Sequence, residues 1–406
     1  MVPASSKLVL GFIGVAGRGR ESLMPWFARH DDVEIGAVCD VYASHLERAA
    51  ADTGGKARTY TDYRELLADK EIDAVVIATP PHWHSIMALD AMAAGKDVYC
   101  EKPMCRTPLE GRMMAEYARR YNRVTQVGTQ IHATENYRRC VDIVKSGALG
   151  KIVAARVFCT MNDNSEGLGQ PPDSAPPAGL DWDQWLGPAP ASPFNMGKFR
   201  DGMHRYFKDY VDSWLNELGP HIVDLPFWAL SPGEPRAVSA AGGRFATTSM
   251  ADVPDTMDVI WEFSDKVITW HMMQSSSFHF GVGTPGRGRK LCIVFHGTQG
   301  TLTADYGMRQ VLDADGREVD SDDYPEITPK SPGHEREFLD AIKSRNECSC
   351  SFANHLPLHT ALGLAHIAMA VDRKVHWDAA AGRVIGDEEA NVLVAPKYRA
   401  PYKLPD

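Results

Sequence analysis

The stretch Leu8-Val9-Leu10-Gly11-Phe12-Ile13-Gly14-Val15-Ala16-Gly17-Arg18-Gly19 decides how the chain is read. Its apolar first half predicts a buried strand, and the glycines after it predict a tight turn into a helix. The turn has the spacing GxGxxG, with Ala16 standing at the second glycine. In such a turn the first glycine bends the chain, the second lets the backbone approach a pyrophosphate, and the third lets helix and strand pack closely. The methyl of Ala16 narrows the tightest approach, Gly17 beside it restores room, and the helix start still offers free amides to a phosphate.

Outward from this turn, strand patterns at 8–13, 33–39, 74–78, 97–100 and 125–127 alternate with amphipathic stretches at 20–29, 44–52, 63–67, 84–94 and 109–120. That alternation predicts a parallel sheet wrapped by helices. After Gly128 the pattern changes. A helix at 135–146 and a strand at 152–158 precede a Pro-, Gly- and Asp-rich stretch, 161–195, and a loop that long inside a compact domain is usually functional. Strand patterns at 259–263, 267–271, 291–295, 300–304 and 310–312 then follow one another without helices between them, which predicts a mostly antiparallel sheet. Helices at 334–343 and 355–371 precede a polar tail, 382–406. The expected fold is α/β: an N-terminal Rossmann domain over 1–128, then an α/β domain over 129–406 with a large, open, mostly antiparallel sheet. The segment 334–406 is expected to return and brace the first domain.

With 406 residues, 44% hydrophobic and 24% charged, the chain is long enough for two domains and fits neither disorder nor a small stapled scaffold. A net charge of -10 opposes attraction to nucleic acid or anionic lipid, so neither is an expected partner. No apolar run reaches the roughly 20 residues of a membrane span, and no export signal is visible. Eight scattered cysteines, several in apolar strand patterns, read as free thiols in a reducing, cytoplasmic compartment. Cys348 and Cys350 lack a second pair or a histidine at zinc-finger spacing, and His82 and His84 lack further ligands, so no metal site is expected.

The second strand ends in Cys39-Asp40, 21 residues beyond Gly19. A carboxylate there can accept both ribose hydroxyls of an adenosine and would repel a 2'-phosphate, with no Arg or Lys following until Arg48, so NAD is favoured over NADP. The competing reading of Asp40 is a helix cap. Thr79-Pro80-Pro81-His82-Trp83-His84 follows the strand at 74–78, at the sheet edge where such folds bind ligands, and is read as cofactor contact. The strand at 97–100 runs into Glu101-Lys102-Pro103. A lysine at this edge points into the crevice beside a nicotinamide, placed to share or accept a substrate hydroxyl proton while hydride leaves the same carbon. A second cluster is Asn216-Glu217-Leu218-Gly219-Pro220-His221-Ile222-Val223-Asp224. Gly219-Pro220 looks like a helix entrance, with His221 in its first turn as a base and Glu217 orienting it.

Together the glycine turn, Thr79-Pro80 with His84, Glu101-Lys102-Pro103, and Glu217 through His221 to Asp224 resemble the Gfo/Idh/MocA family of NAD(P)-dependent sugar and polyol oxidoreductases. The closest likeness is to the branch carrying stretches such as DWDQWLGPAP at 181–190, QVGTQ at 126–130 and GDEEAN at 386–391. The resemblance implies Lys102 as catalytic lysine and His221 as second proton-handling residue, with Glu217 where the family usually has Asp. Cofactor contacts are expected from Gly14, Ala16, Gly17, Arg18, Gly19, Asp40, Thr79, Pro80, His82, Trp83, His84, Glu101, Lys102 and Gln130. The resemblance also implies a substrate pocket on the open face of the second sheet, with candidates His132, Tyr137, Arg138, Asn162 and His204, and a homo-oligomer, dimer or tetramer. Some relatives oxidise a sugar hydroxyl; others are NAD-dependent glycosidases that oxidise C3 transiently, eliminate the aglycone, add water and reduce C3 again. The retained Lys102 favours the dehydrogenase, acting on a ring hydroxyl at C3. A cofactor-binding regulator without catalysis is the third reading, and the presence of both Lys102 and His221 speaks against it.

Overall fold

A computed structural model describes residues 7–161, 168–276, 278 and 290–405. Six parallel strands form the first sheet: β1 (Leu8–Ile13), β2 (Val33–Cys39), β3 (Arg58–Tyr60), β4 (Ala74–Ile77), β5 (Asp97–Cys100) and β6 (Thr125–Val127), in the order β3-β2-β1-β4-β5-β6. The order reverses between β1 and β4, so a crevice opens beyond the carboxyl ends of these two strands. β4 and β5 are buried at every residue, as strands covered by helices on both faces must be. β3 was not anticipated, because Arg58-Thr59-Tyr60 lies on the sheet edge with no residue fully buried and carries no apolar pattern.

Helix boundaries are set by local chemistry. Ahead of Pro108–Arg120, Thr107 Oγ1 accepts from the Glu110 amide while Glu110 Oε2 accepts from the Thr107 amide, and Pro108 occupies the first helical position, where its missing N–H costs nothing. The helix expected at 20–29 is instead a π-helical turn, Gly17–Leu23, followed by an α-helix, Met24–Ala28. Pro25 has no N–H to donate to the preceding turn, so regular winding cannot run through it.

The second sheet contains β7 (Ile152–Thr160), β8 (Ala237–Gly243), β9 (Thr256–Glu262), β10 (Val267–Met273), β11 (Lys290–Gly297), β12 (Gly300–Ala304), β13 (Arg309–Asp313), β14 (Glu318–Val319), β15 (Val375–Asp378) and β16 (Arg383–Val384). Their order is β14-β13-β12-β11-β7-β10-β9-β8-β15-β16, and among these described pairings only β7 with β10 is parallel. Burial alternates along β9 and β10, so Trp261, Ile268, Trp270 and Met272 face a helical layer while Asp258, Ile260 and His271 face outward. β8 escaped the sequence reading because Ala-Val-Ser-Ala-Ala-Gly-Gly has little apolar alternation.

The C-terminal helices join the two layers. His334–Ser344 presents Phe338 edge-on to Phe27 and Tyr99 at the back of the first sheet. Phe352–Ala370 packs between Pro108–Arg120 and β8, and Trp261 Nε1 donates to Ala361 O at 2.7 Å. The tail is not merely polar: it holds β16 and the helix Glu388–Val392, with Asn391 hydrogen-bonded to both the N–H and the C=O of Val384.

Candidate active site

A cavity of about 450 Å³ opens at the carboxyl edge of the first sheet. Gly14, at φ +84°, forms its floor; a Cβ there would lie 2.7 Å from the Thr79 amide nitrogen. A Cβ on Gly19 would lie 2.0 Å from Gly14 O, so the third glycine is required for the helix to cross the strand end. Ala16 and Arg18 line the cavity, whereas Gly17 is closed in by Asp201, whose Oδ2 would lie 2.1 Å from a Cβ there. Gly17 therefore makes room for a protein carboxylate rather than directly relieving Ala16.

Asp40 closes the same turn from β2. Its Oδ2 accepts from the Val15 amide at 2.9 Å and its Oδ1 from the Tyr42 amide at 3.0 Å, and it lies on the cavity wall. The helix behind it, Ala43–Asp52, has Tyr42 at its N-cap position and no side-chain cap, so Asp40 is not the cap residue. Arg64, tied to Asp62 at 3.3 Å, also reaches this wall, a cation that linear spacing after Asp40 had hidden.

Thr79, Pro80 and Trp83 line the cavity as expected, but His82 and His84 are not among its lining residues. His82 is fully buried with Nε2 3.1 Å from Trp185 O, and burial pushes its pKa well down. His84 has Nδ1 2.7 Å from Pro103 O and Nε2 2.8 Å from Thr79 O, which ties the loop after β4 to the loop after β5. On this short helical turn the buried Trp83 ring reaches the cavity, with its Nε1 donating to Trp185 O at 3.1 Å, while the His82 and His84 rings are turned away from it. The Lys102–Pro103 peptide is cis.

Glu101 gathers the mouth of the crevice: Arg18 Nε donates to its Oε1 at 2.7 Å and Gln130 Nε2 at 3.2 Å, and all three residues line the cavity. Next to it Lys102 Nζ lies 2.9 Å from Glu217 Oε1 and donates to Glu217 O at 3.0 Å. Burial raises the Glu217 pKa, but Lys102 and then Arg205, 3.8 Å away, lower it further, to about 2. Burial, reinforced by the nearby Lys102 charge, pushes His221 down to about 3. His204 is likewise pushed to about 3, chiefly by burial. Lys102, Glu217, His204, Arg205 and His221 thus meet on one wall, an ionised carboxylate gripping a lysine beside two neutral imidazoles.

The helix that carries Glu217 and His221 runs Trp214–Ile222, starting at Ser213, whose Oγ accepts from the Leu215 amide at 3.0 Å. Pro220 therefore sits inside this helix rather than opening it, and His221 belongs to its last turn. Trp214, Leu215, Leu218 and Ile222 share a core with Trp261 and Trp270 of the second sheet. The helix thus lies between that sheet and the cavity, and no strand of the second sheet contributes to the cavity's described lining, contrary to the pocket expected on the open face.

Three expected pocket residues lie elsewhere. His132 is buried, with its Nε2 2.6 Å from Asp224 Oδ2 and its ring stacked on Trp228 at 4.0 Å. Tyr137 is in the core of the second domain, and Arg138 donates to His132 O at 2.8 Å. Each sits on or beside the helix Glu135–Lys145, whose apolar face packs inward. Asn162 falls outside the described residues. Linear reading missed Phe199, Arg200 and Asp201, which follow the long stretch 161–195, and Tyr402 from the tail, all on the cavity wall; the stretch itself contributes Gln184 and Trp185.

A family model described as "Oxidoreductase family, NAD-binding Rossmann fold" matches residues 8–129. A second, "Oxidoreductase family, C-terminal alpha/beta domain", matches residues 137–240 and 301–404. Among curated relatives, an uncharacterized oxidoreductase of Rhizobium meliloti is 35% identical over 153 residues, 37% of this chain and 46% of that protein. A glycosyl hydrolase family 109 protein of a Shewanella species (strain W3-18-1) is 32% identical over 165 residues, 38% of this chain and 35% of that protein. The matched stretches thus span less than half the length of these curated relatives. Among solved structures, GenD2 from gentamicin A biosynthesis, in complex with NAD, superposes with a TM-score of 0.67 at 22% identity, covering 92% of this chain and 97% of its own. Levoglucosan dehydrogenase, in complex with NADH and levoglucosan, superposes with a TM-score of 0.64 at 21% identity, covering 91% and 99%. The chain therefore belongs to the Gfo/Idh/MocA family of oxidoreductases and carries its NAD-binding Rossmann domain.

Proposed function

We propose that this chain is an NAD-dependent oxidoreductase that acts on a ring hydroxyl, at C3, of a sugar or glycoside. The observation that carries the reading is the Lys102–Glu217 pair, 2.9 Å apart, on one cavity wall with His221 and in the same cavity as the Gly14 turn and Asp40. Those last two, with Thr79, Pro80, Trp83, Glu101 and Gln130, are the residues to hold the cofactor. The fit is supported by the open glycine turn and by a carboxylate on the wall where an adenosine ribose would lie. NAD held there supplies the hydride acceptor.

The chain's own residues handle the proton. Glu217, ionised at neutral pH, holds the Lys102 ammonium through both its carboxylate and its backbone carbonyl, so Nζ has little rotational freedom left to lose when substrate arrives. Lys102 donates a hydrogen bond to the substrate oxygen. His221 is neutral at pH 7 because burial opposes its charged form, and it accepts the hydroxyl proton. His204 and Arg205 complete the wall against the sugar, while Phe199 and Trp185 give it an apolar surface. The uncovered face of the second sheet, with Val153 and Ile260 well exposed, is the surface on which copies of the chain are expected to pair.

A second reading has its own support in the matched stretch of the glycosyl hydrolase family 109 relatives: the same residues would run a closed cycle that cleaves a glycosidic bond without net redox change. One experiment separates the two. A panel of glycosides is incubated with the protein, with and without added NAD, and NADH absorbance and released aglycone are followed in the same wells. NADH accumulating in proportion to sugar consumed supports the dehydrogenase. Aglycone release without net NADH contradicts it in favour of the glycosidase, and neither signal with any glycoside contradicts both.

A further inference from the structure

We propose that His132, His355 and Cys350 bind a single divalent cation of the zinc class in a buried cluster just beyond the carboxyl end of β6, separate from the cavity. The ligand atoms of these three residues lie within 4.8 Å of one another, and all three side chains are buried. None of the three lines the cavity.

The donors are prepared for a cation. His132 Nε2 is engaged by Asp224 Oδ2 at 2.6 Å, which fixes the ring and leaves Nδ1 buried without a hydrogen bond. A carboxylate behind an imidazole whose opposite nitrogen is free is the arrangement that orients metal-binding histidines. The His132 ring is further held by its stack on Trp228. His355 likewise has Nδ1 buried without a hydrogen bond, and its Nε2 reaches only Thr129 Oγ1 at 3.4 Å and, at 4.0 Å, Asp224 Oδ1. Cys350 Sγ faces the His132 imidazole, and its other neighbours, Ser349 Oγ at 3.7 Å and Thr129 O at 3.9 Å, are weak. Buried polar atoms are normally satisfied, so two buried imidazoles, each with one unsatisfied nitrogen, gathered around one thiol point to a common partner.

The donor set chooses the ion. One thiolate and two imidazoles are borderline-soft ligands that favour zinc over magnesium or calcium, whose ligands are oxygens. Cys350 as thiolate and Asp224 as carboxylate supply two negative charges and so neutralise a dication in this dry setting. Zinc bonds of about 2.3 Å to sulfur and about 2.0–2.1 Å to nitrogen require the three donors to draw together by roughly 1 Å, within reach of side-chain rotation. Binding releases the thiol proton to solvent and involves no redox change. The ligands come from the turn after β6 and from the turn and first residues of Phe352–Ala370, with Asp224 opening the helix Asp224–Leu230. The ion would therefore fasten three segments that meet behind the active site, a structural role.

The full-length protein, freed of metal by chelation, is titrated with cobalt(II) and separately with zinc(II). The proposal expects one equivalent bound per chain, a thiolate-to-cobalt charge-transfer band in the near ultraviolet, and a rise in Tm with zinc. It expects Cys350→Ser to lose the band, with far-ultraviolet circular dichroism unchanged. Should that variant not fold, X-ray absorption of the zinc-loaded wild type decides, with one sulfur and two imidazoles in the first coordination sphere expected. Absence of stoichiometric uptake, a band that survives in folded Cys350→Ser, or a sulfur-free zinc sphere would overturn the assignment.

Discussion

Asp40 does two jobs with its two oxygens. One fixes the glycine turn through the Val15 amide, and the other holds the Tyr42 amide where the next helix begins. Its charge faces the wall on which an adenosine ribose would lie, so it repels a 2'-phosphate there. We expect Asp40→Ala to weaken the discrimination against NADP by at least about tenfold, roughly the 1.4 kcal/mol that a single close charge contact supplies. Arg64, on the same wall, is then a cation available to the added phosphate. The ratio of kcat/KM for the two cofactors is the measurement, and an unchanged ratio means that Asp40 serves only to brace the turn. At this scale the sequence was legible where spacing is short. The distance from Gly19 to Asp40 is set by one helix and one strand, whereas Arg64 arrives through an edge strand that has no apolar signature.

At the scale of elements, the helix Trp214–Ile222 is the part that turns a fold into a site, because it delivers both Glu217 and His221. Its start depends on Ser213, fully buried, whose Oγ accepts from the Leu215 amide and lies 2.7 Å from His366 Nε2. We expect Ser213→Ala to lower unfolding free energy by about 1–2 kcal/mol, the usual cost of losing a cap, read as a lower denaturant midpoint. An unchanged midpoint would show that tertiary packing alone holds the helix. The sequence reading placed this helix too late. Gly219-Pro220 has the local look of an entrance, yet the apolar residues Trp214, Leu215 and Leu218 pack against the second sheet strongly enough for the helix to tolerate Pro220 within it. The same competition explains His82 and His84. A histidine pair after a strand reads as a contact surface, but here Pro81 and Trp83 reach the cavity while the buried His82 and His84 rings lace loops together. β8 was hidden for a different reason: its small residues form a strand only because β9 and β15 flank it.

Across the whole molecule, several imidazoles are buried as neutral groups. His204 and His221 are pushed to about 3 and His359 to about 4, each chiefly by burial, and His82 and His84 are also lowered by burial. Their folded values lie below the unfolded value near 6.5, so between these limits the unfolded chain binds more protons than the folded one. The contribution of these groups is therefore full above about pH 6.5 and falls as the pH drops, by up to about 1.4 kcal/mol per pH unit for each, opposed in sign by His132, which, against its burial, Asp224 raises above 6.5. Glu217, lowered to about 2, adds a loss in the same direction below about pH 4.5. We expect the denaturant midpoint to fall steeply from pH 7 to pH 5, and a flat profile would mean that these rings are solvated in solution. The succession of a parallel sheet and a mostly antiparallel one was legible from the change of periodicity after Gly128. The cavity's far wall was not, since Phe199, Asp201 and Tyr402 reach it from a loop and a tail whose paths depend on packing rather than on local pattern.

The central claim is that Lys102 and His221 together manage the substrate proton beside bound NAD, Lys102, held by Glu217, hydrogen-bonding the oxygen while His221 accepts its proton. The most direct test is Lys102→Ala assayed with the best glycoside from the panel, with NAD affinity measured separately by fluorescence. We predict a loss in kcat of at least about a hundredfold, the lower end for a positioned proton-transfer group, with NAD binding retained. Turnover that survives unchanged in this variant would contradict the account.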